Sequence, residues 1–480
     1  MTRNIVLIVL DTVRKDYFDK YAPRIKEASD LSFNQCRSAS SWSVPSHASI
    51  FTGKLPHQHG IHADSFDRTI TYSSLDVSDT FLDDLDSHST IGVSANPYAN
   101  SFNGFDELFD NFNDVITHGS FFPEAFSPYE FFRDRNVDRS VRTYLSYLWH
   151  ASRRDRAFKS VLNGFWPFFN NSPVSLPLPG ITDDGASAIA KTVLRRFRDV
   201  SQPHFTFVNF MDAHAPFRNL RHYDDSLHSV SDSWNSNALN KWEINKDGKG
   251  SEQYLANYRE LYGASIDYLD RKVEVLIDDI QEGTEYETTF VITADHGHNL
   301  GYPADEGFIH HSGSLSEGVL HVPLEIINPP EGASEAVTDI FTHLDIGDLL
   351  VDMANDRRLN TDLFRDYVPA EVIGLDGTGD PRNHRSFEEG EYEYWNRMIR
   401  VLYDDMTKYE WDSLGTRRVF SLDSDRPCWQ EQLGEPVDFS DEMLDIFDQP
   451  LVEYKEQYEG GTSDEASTIP EERLEDLGYL

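Results

Sequence analysis

"NIVLIVLD", residues 4–11, decides the fold: a string of aliphatic residues without polar alternation, closed by an aspartate. A strand covered on both faces by helices carries such a continuous run, whereas a half-exposed strand alternates. Two further runs share the pattern, "HFTFVNF" at 204–210 and "TTFVITA" at 288–294, and each is followed within two residues by an aspartate. Helical periodicity separates them. In "LANYRELYGASIDYLDRKVEVLIDDI" (255–280), Leu255, Tyr258, Leu261, Tyr262, Ile266, Leu269, Val273 and Ile277 fall on one broad face. Strands alternating with helices predict an α/β fold with a doubly wound sheet. Ligands of such sheets collect at the carboxyl ends of the strands, where Asp11, Asp212 and Asp295 are expected to meet.

At 480 residues the chain is long enough for one large domain and a smaller companion. Residues 119–180 break the rhythm with aromatics, prolines and clustered arginines, and read as an insertion used as a lid or packed on the main domain. Residues 219–252 are polar and read as loop, and "IFTHLDIGDLLVDMAND" (340–356) reads as an amphipathic helix. "GLDGTGDPRNH" (374–384) reads as a linker. It divides the chain into a domain of residues 1–375 and a smaller strand-rich part, 376–480, which closes in an acidic tail.

The formal net charge of -41, from 83 acidic and 42 basic residues spread along the chain, argues against nucleic acid as a partner. Distributed acidity with few lysines suits a protein kept soluble in strong salt, so a halophilic source is expected. Cys36 and Cys428 are the only cysteines, which gives neither a disulfide framework nor a thiolate metal cage. The apolar start is too short for a signal core, and no stretch is long and apolar enough to span a membrane. A cytoplasmic location is expected.

"VITADHGHNLG" (291–301) sets Asp295 and His296 at a strand end, with Gly297 next. A carboxylate beside an imidazole at a tight turn is half of a metal site, and Asp11 would be the third protein ligand. An aspartate after a strand also serves as a helix N-cap, and either residue taken alone leaves both uses open. In "SSWSVPSHASIFTG" (40–53), Pro45 suits the first turn of a helix that Gly53 would stop, which puts Ser43 just before the helix N-terminus. That end attracts anions, and a hydroxyl there held to a divalent metal would lose its proton more readily. Ser41, Ser43 and Ser46 compete for the plain capping role.

The set "LIVLDTVRKDY" (7–17), "SVPSHASIFTGKLPHQHGI" (43–61), "FVNFMDAHAPF" (207–217), "VITADHGHNLG" and "HHSGSLSEGVLHVPL" (310–324), in this order, resembles the sulfatase family of the alkaline-phosphatase superfamily. The ending "ERLEDLGYL" (472–480) also looks like a terminus of that family, and the acidity points to a haloarchaeal-type member. The resemblance implies an alkaline-phosphatase-like, mixed but mostly parallel sheet flanked by helices, with a small C-terminal α+β subdomain. It implies one divalent metal ion, calcium, manganese, magnesium or zinc, held by Asp11, Ser43, Asp295 and His296. Ser43 stands where the family carries the residue oxidised to formylglycine. His214 and His311 match histidines that bind the ester or protonate its leaving oxygen, a task suited to imidazole. Lys54, which would hold the anion, and His59 are weaker candidates, and Arg14 matches a recurring arginine.

Two departures stand out. The family signature is Cys or Ser, any residue, Pro, any residue, Arg, and here the last position is His47, a smaller and titratable ring that is counted with Ser43, His214 and His311 among the candidate catalytic residues. A second motif, built on Gly-Lys-Trp-His, should fall within "TIGVSANPYANSFNGFDELFD" (90–110), where Asn96 and Tyr98 offer only neutral hydrogen bonds. Fewer cations favour a monoanionic ester over a dianionic one. Three readings follow: a sulfatase-type hydrolase of small-molecule or glycan sulfate esters; a phosphodiesterase, phosphonate-ester hydrolase or phosphotransferase using unmodified Ser43; and a degenerate binder of anionic glycans. The full constellation weighs against the last.

Overall fold

Asn4–Leu10 is a central strand with every residue buried, paired in parallel with His204–Phe210 on one side and Thr288–Thr293 on the other. In this computed structural model the described residues are 3–63, 65, 71–115, 125–126, 131, 141–154, 156–164, 183–200, 203–284, 286–330, 336–357, 365–375, 387, 390–434 and 439–459. The main sheet has eight strands in the order Ala336–Val337, Leu31–Phe33, Leu324–Ile327, Thr288–Thr293, Asn4–Leu10, His204–Phe210, Ser89–Ser94, Asn111–Asp114. Leu324–Ile327 runs antiparallel to both neighbours, and the other pairings are parallel. The sheet is therefore mixed and mostly parallel, as the apolar runs predict.

The helix expected over 255–280 spans Glu252–Gly283, and all eight residues assigned to its apolar face are buried. It starts earlier because Ser251 supplies a cap, its Oγ accepting from the Tyr254 backbone N–H at 3.1 Å. Lys15–Tyr21, Pro23–Ala28 and Ala186–Asp199 pack on it. Asp270, buried midway along it, accepts from the Arg24 and Ile25 backbone N–H groups and so caps Pro23–Ala28. A second group of helices, Ser43–Thr52 and Ile346–Ala354, packs together beside the central strand. Phe51 anchors the first of them among Phe81, Phe105, Phe109 and Phe207, with ring centroids 5.2 to 5.8 Å away. Burying one such ring stabilises by roughly 1.5–3 kcal/mol.

A separate five-stranded antiparallel sheet, Val368–Val372, Ile399–Asp404, Thr407–Asp412, Arg417–Leu422 and Gln430–Gln432, forms near the C-terminus. Asp441–Asp445 and Leu451–Glu459 contribute Met443, Leu451 and Tyr454 to a core shared with Trp411 of this sheet and with Leu55, which follows the Ser43–Thr52 helix. Among the described residues no helix is long and apolar enough to cross a membrane.

Two local expectations change. The helix expected at 340–356 begins only at Ile346, because Phe341–Thr342 pairs as a strand with Cys36–Arg37 and Thr342 caps a short turn. The polar stretch 219–252 contains a helix, Lys241–Asn245, in which Asn240 and Glu243 cap each other while Trp242 and Ile244 are buried. Most of the 119–180 insertion, most of the 374–384 linker and the tail with "ERLEDLGYL" lie outside the described residues.

Candidate active site

Parallel neighbours end at the same level, so the residues that follow them meet. Asp11 follows Asn4–Leu10 directly, and Asp295 and His296 lie just beyond Thr288–Thr293. Asn96 lies two residues past Ser89–Ser94. The helix Ser43–Thr52 begins with Ser43 itself, one residue earlier than the sequence suggests, with Trp42 as its N-cap. Pro45 still occupies the first turn, where a missing N–H costs nothing, and Gly53 ends the helix at φ 65°. No side chain caps this helix. Ser46 Oγ donates to the Ser40 carbonyl at 3.2 Å, whereas Ser43 Oγ donates to Asp11 Oδ2 at 3.1 Å. Asn96 Nδ2 donates to both Asp11 Oδ2 (2.6 Å) and Ser43 Oγ (3.0 Å), which fixes the hydroxyl against the carboxylate.

Asp11 Oδ1, Asp295 Oδ2 and His296 Nε2 are buried without a hydrogen-bond partner. Buried polar atoms are almost always paired, so three orphans in one place fit a cation. One ligand atom from each of Asp11, Asp295 and His296 lies within 4.8 Å of the others. Donors bound to one ion at about 2.1–2.5 Å cannot be more than about 5 Å apart. His296 Nδ1 donates to the Gly297 carbonyl at 2.9 Å, which leaves the Nε2 lone pair for a metal. The turn requires Gly297, since a Cβ there would lie 2.2 Å from the Gly318 carbonyl oxygen. Two carboxylates and an imidazole suit calcium, magnesium, manganese or zinc.

Electrostatics agree with this chemistry. Burial, and then the charge of Asp295, push the Asp11 carboxyl well above its ordinary range. Burial also works against ionisation of Asp295, but the His296 and His47 rings and the hydrogen bond from the His296 backbone N–H outweigh it and hold that carboxyl below its ordinary value. The pair thus resists carrying two charges, and a divalent cation between them removes that penalty.

The other expected residues divide into two groups. His311 sits beside the cluster, its ring centroid 4.7 Å from that of His296 and 6.0 Å from that of His214. Burial, then the neighbouring imidazoles His296 and His214, push His311 well below the ordinary histidine range. Lys241, passed over in a stretch read as loop, donates to Ser312 Oγ at 2.9 Å and adds positive charge near His310 and His311. The signal that could have found it is the Asn240–Glu243 capping box. Arg14 is buried and joins the His298 carbonyl (2.9 Å) to Asp305 and Asp16, bracing the turn after His296.

The second group directs its polar atoms elsewhere. His47 Nδ1 lies 3.7 Å from Asp295 Oδ2, yet both ring nitrogens are engaged by other groups. Nδ1 donates to the Ser43 carbonyl (2.7 Å) and Nε2 faces Asn209 Nδ2 (3.2 Å), so the ring fixes the backbone of Ser43 rather than its hydroxyl. Lys54 is 46% exposed and pairs with Asp79 at 3.7 Å. His59 is held by Ser49 and Ile61, and burial pushes it down to about 3. Asp212, expected to meet Asp11 and Asp295, instead accepts from the Asp184 and Ala186 backbone N–H groups at 3.0 and 3.1 Å and caps Ala186–Asp199.

The sequence profile of the Sulfatase family matches residues 3–355. No curated protein matches the chain. Among solved structures, a phosphonate monoester hydrolase of Agrobacterium radiobacter is similar at 14% identity, over 87% of this chain and 89% of that one, with a TM-score of 0.55. A protein in complex with its substrate D-glucosamine-2-N,6-O-disulfate is 12% identical over 97% of this chain and 100% of that one, with a TM-score of 0.57. A 2-O GAG sulfatase is 12% identical over 88% and 85% of the respective chains, with a TM-score of 0.56.

Proposed function

Because the chain belongs to the sulfatase family and is thereby a hydrolase acting on ester bonds, we propose that it is a metal-dependent hydrolase of sulfate esters with its nucleophile at Ser43. The observation that carries this reading is the set of orphaned ligand atoms on Asp11, Asp295 and His296 beside the Ser43 hydroxyl. A divalent cation held by these three residues and by the oxygen at Ser43 would supply charge to the ester oxygens and favour the deprotonated nucleophile. Asp11 and Asn96 orient Ser43 Oγ, His47 anchors its backbone, and the helix N-terminus faces the incoming anion. His214 and His311 bind the ester group or protonate the leaving oxygen. Burial keeps His311 neutral until an anionic ester arrives beside it and favours the protonated ring. Small-molecule or glycan sulfate esters are the substrate class, in keeping with the sulfated sugar named for one structural neighbour.

The second reading, hydrolysis or transfer of a phosphodiester or phosphonate ester by unmodified Ser43, is favoured by one observation: His47 stands where the maturation signature has arginine. The two readings separate by the mass of the tryptic peptide 38–54 from protein made in its native host. Loss of two hydrogens at Ser43 identifies formylglycine and supports sulfate-ester hydrolysis. An unmodified serine in active protein moves the assignment to phosphoester chemistry. Turnover of a sulfate monoester, a phosphodiester and a phosphate monoester on one aryl leaving group completes the test. Preference for the dianionic phosphate would sink the monoanion expectation.

A further inference from the structure

We propose that the helical hairpin formed by Val141–Ala151 and Ala157–Asn163 docks the protein on an anionic lipid surface. The hairpin has a small core of its own, in which Tyr147 and Ala151 are buried with Phe131, and Leu148 and Val161 pack against them. Having used that face, it leaves large apolar side chains outside. Leu145, Trp149 and Phe158 are 61%, 51% and 77% exposed, and Phe158 is the most exposed large apolar residue among the described ones. Leu145, Trp149 and Arg153 follow one another at four-residue spacing, so they form a single row along the first helix and its end. The Arg153 guanidinium lies 3.6 Å from the centroid of the Trp149 ring.

Charge identifies the occupant. Residues 141–164, which contain the hairpin, carry five basic and one acidic side chain, in a chain with 42 basic and 83 acidic ones overall. This short stretch thus reverses the sign of the whole protein. A soluble polyanion is held by the cations, and even a sugar face stacked on Trp149 or Phe158 would leave Leu145 without a partner. A second copy could pair the apolar row with itself about a two-fold axis, but that would set the arginines of the two rows against each other. Aromatic and aliphatic side chains interleaved with arginines match the interface of a bilayer, where apolar groups enter the acyl boundary and cations remain among anionic headgroups.

The test is flotation of the full-length protein with two kinds of vesicle, one purely zwitterionic and one containing about a third anionic phospholipid. Binding to the anionic vesicles only, weakened as salt rises from about 0.1 to 1 M, is the expected result. The triple variant L145S/W149S/F158S and the charge variant R153E/R154E should each weaken that binding at least tenfold. Both change exposed positions outside the proposed active site, so ester turnover and melting temperature should stay at wild-type values, which separates lost docking from lost folding. No flotation at low salt overturns the proposal. So does equal affinity for soluble dextran sulfate with no effect of the apolar triple variant, which would assign the face to a polyanion. Dimerisation abolished by the apolar variant would assign it to a second copy and overturn it likewise.

Discussion

Two buried clusters of carboxylates and imidazoles are built from the same stretch of chain, one around Ser43 and the other around His57, and they differ in what they leave unpaired. Around His57 the carboxylates and ring nitrogens close on one another, and only Arg400 Nη2 is left over, on a group that already donates to Glu371 and to the Gln449 carbonyl. Its Nδ1 and backbone N–H meet Glu371 Oε1 at 2.7 and 2.6 Å, its Nε2 meets Asp448 Oδ1 at 2.6 Å, and Arg400 Nε donates to Glu371 Oε2 at 2.9 Å. Around Ser43 an oxygen of each aspartate and the His296 Nε2 stay orphaned. The first cluster ties the Pro56–His59 helix to the C-terminal sheet, with its carboxylates paired to cations or donors of the protein. The second is complete only with a ligand. Both clusters combine carboxylates with imidazoles, but the His57 cluster has the Arg400 guanidinium against Glu371 and an exposed partner in Asp448, whereas Asp11, Asp295 and His296 are fully buried with no guanidinium or ammonium among them, so a matched charge is what separates a structural network from a functional one.

Breaking the metal cluster should have the largest effect. Asp295→Asn removes one of two charges that face a cation, and kcat/KM should fall by roughly 10³-fold or more, since a metal's charge supplies several kcal/mol to such reactions. Metal content by mass spectrometry should fall well below one ion per chain. The melting temperature of the wild type should drop on chelation, while that of the variant should not respond. A variant that keeps both metal and activity would refute the ligand assignment. His311→Gln comes next: kcat should fall about 10²-fold, the usual worth of a positioned proton donor, while metal content stays at the wild-type level. Loss of metal as well would make His311 a support of the metal site instead.

The central strands were legible because full burial on both faces leaves an unbroken apolar run, and Asn4–Leu10 and His204–Phe210 match their expected bounds. The strand-end residues were legible through the same topology, since parallel strands deliver their C-terminal neighbours to one edge. That logic misplaced Asp212, which occupies an equivalent position in sequence but is consumed by two backbone N–H groups of a helix that enters from elsewhere. No local pattern distinguishes the two fates. Lys241 was hidden for the opposite reason: its helix is only five residues long, too short for apolar periodicity to register. The role of His47 depended on which way each ring nitrogen points, which is tertiary information.

Breaking the satisfied cluster should cost stability and spare chemistry. His57→Gln should lose about 2 kcal/mol of unfolding free energy with kcat/KM within twofold of wild type. The pH dependence follows from the signs. Burial lowers the His57 pKa, but the hydrogen bond and charge of Glu371 outweigh it and raise the folded value above the unfolded one. Its stabilisation is therefore full below the ordinary histidine pKa and is lost as pH rises through the raised value. Glu371, held down at about 2, contributes stability above the ordinary carboxylate range and loses it only as pH falls toward that value. Denaturant titrations should show wild type weakening as pH rises through the raised His57 value, with a flatter profile in the variant. Equal slopes would dissociate His57 from this network.

The smallest effect should come from Lys54, and it sharpens the comparison by testing charge without burial. Lys54 and Asp79 are 46% and 49% exposed, 3.7 Å apart. Two flexible side chains in water gain little from such a pair, about 0–1 kcal/mol, and salt screens it further. Lys54→Ala should therefore change stability by less than about 0.5 kcal/mol. For the substrate to gain from this ammonium, the side chain would have to leave Asp79 and reach a site whose polar atoms are otherwise all buried. kcat/KM for a monoanionic ester should accordingly stay within twofold. A tenfold rise in KM with unchanged kcat would instead show that the lysine swings inward once an anion is bound, and would return it to the substrate-binding set.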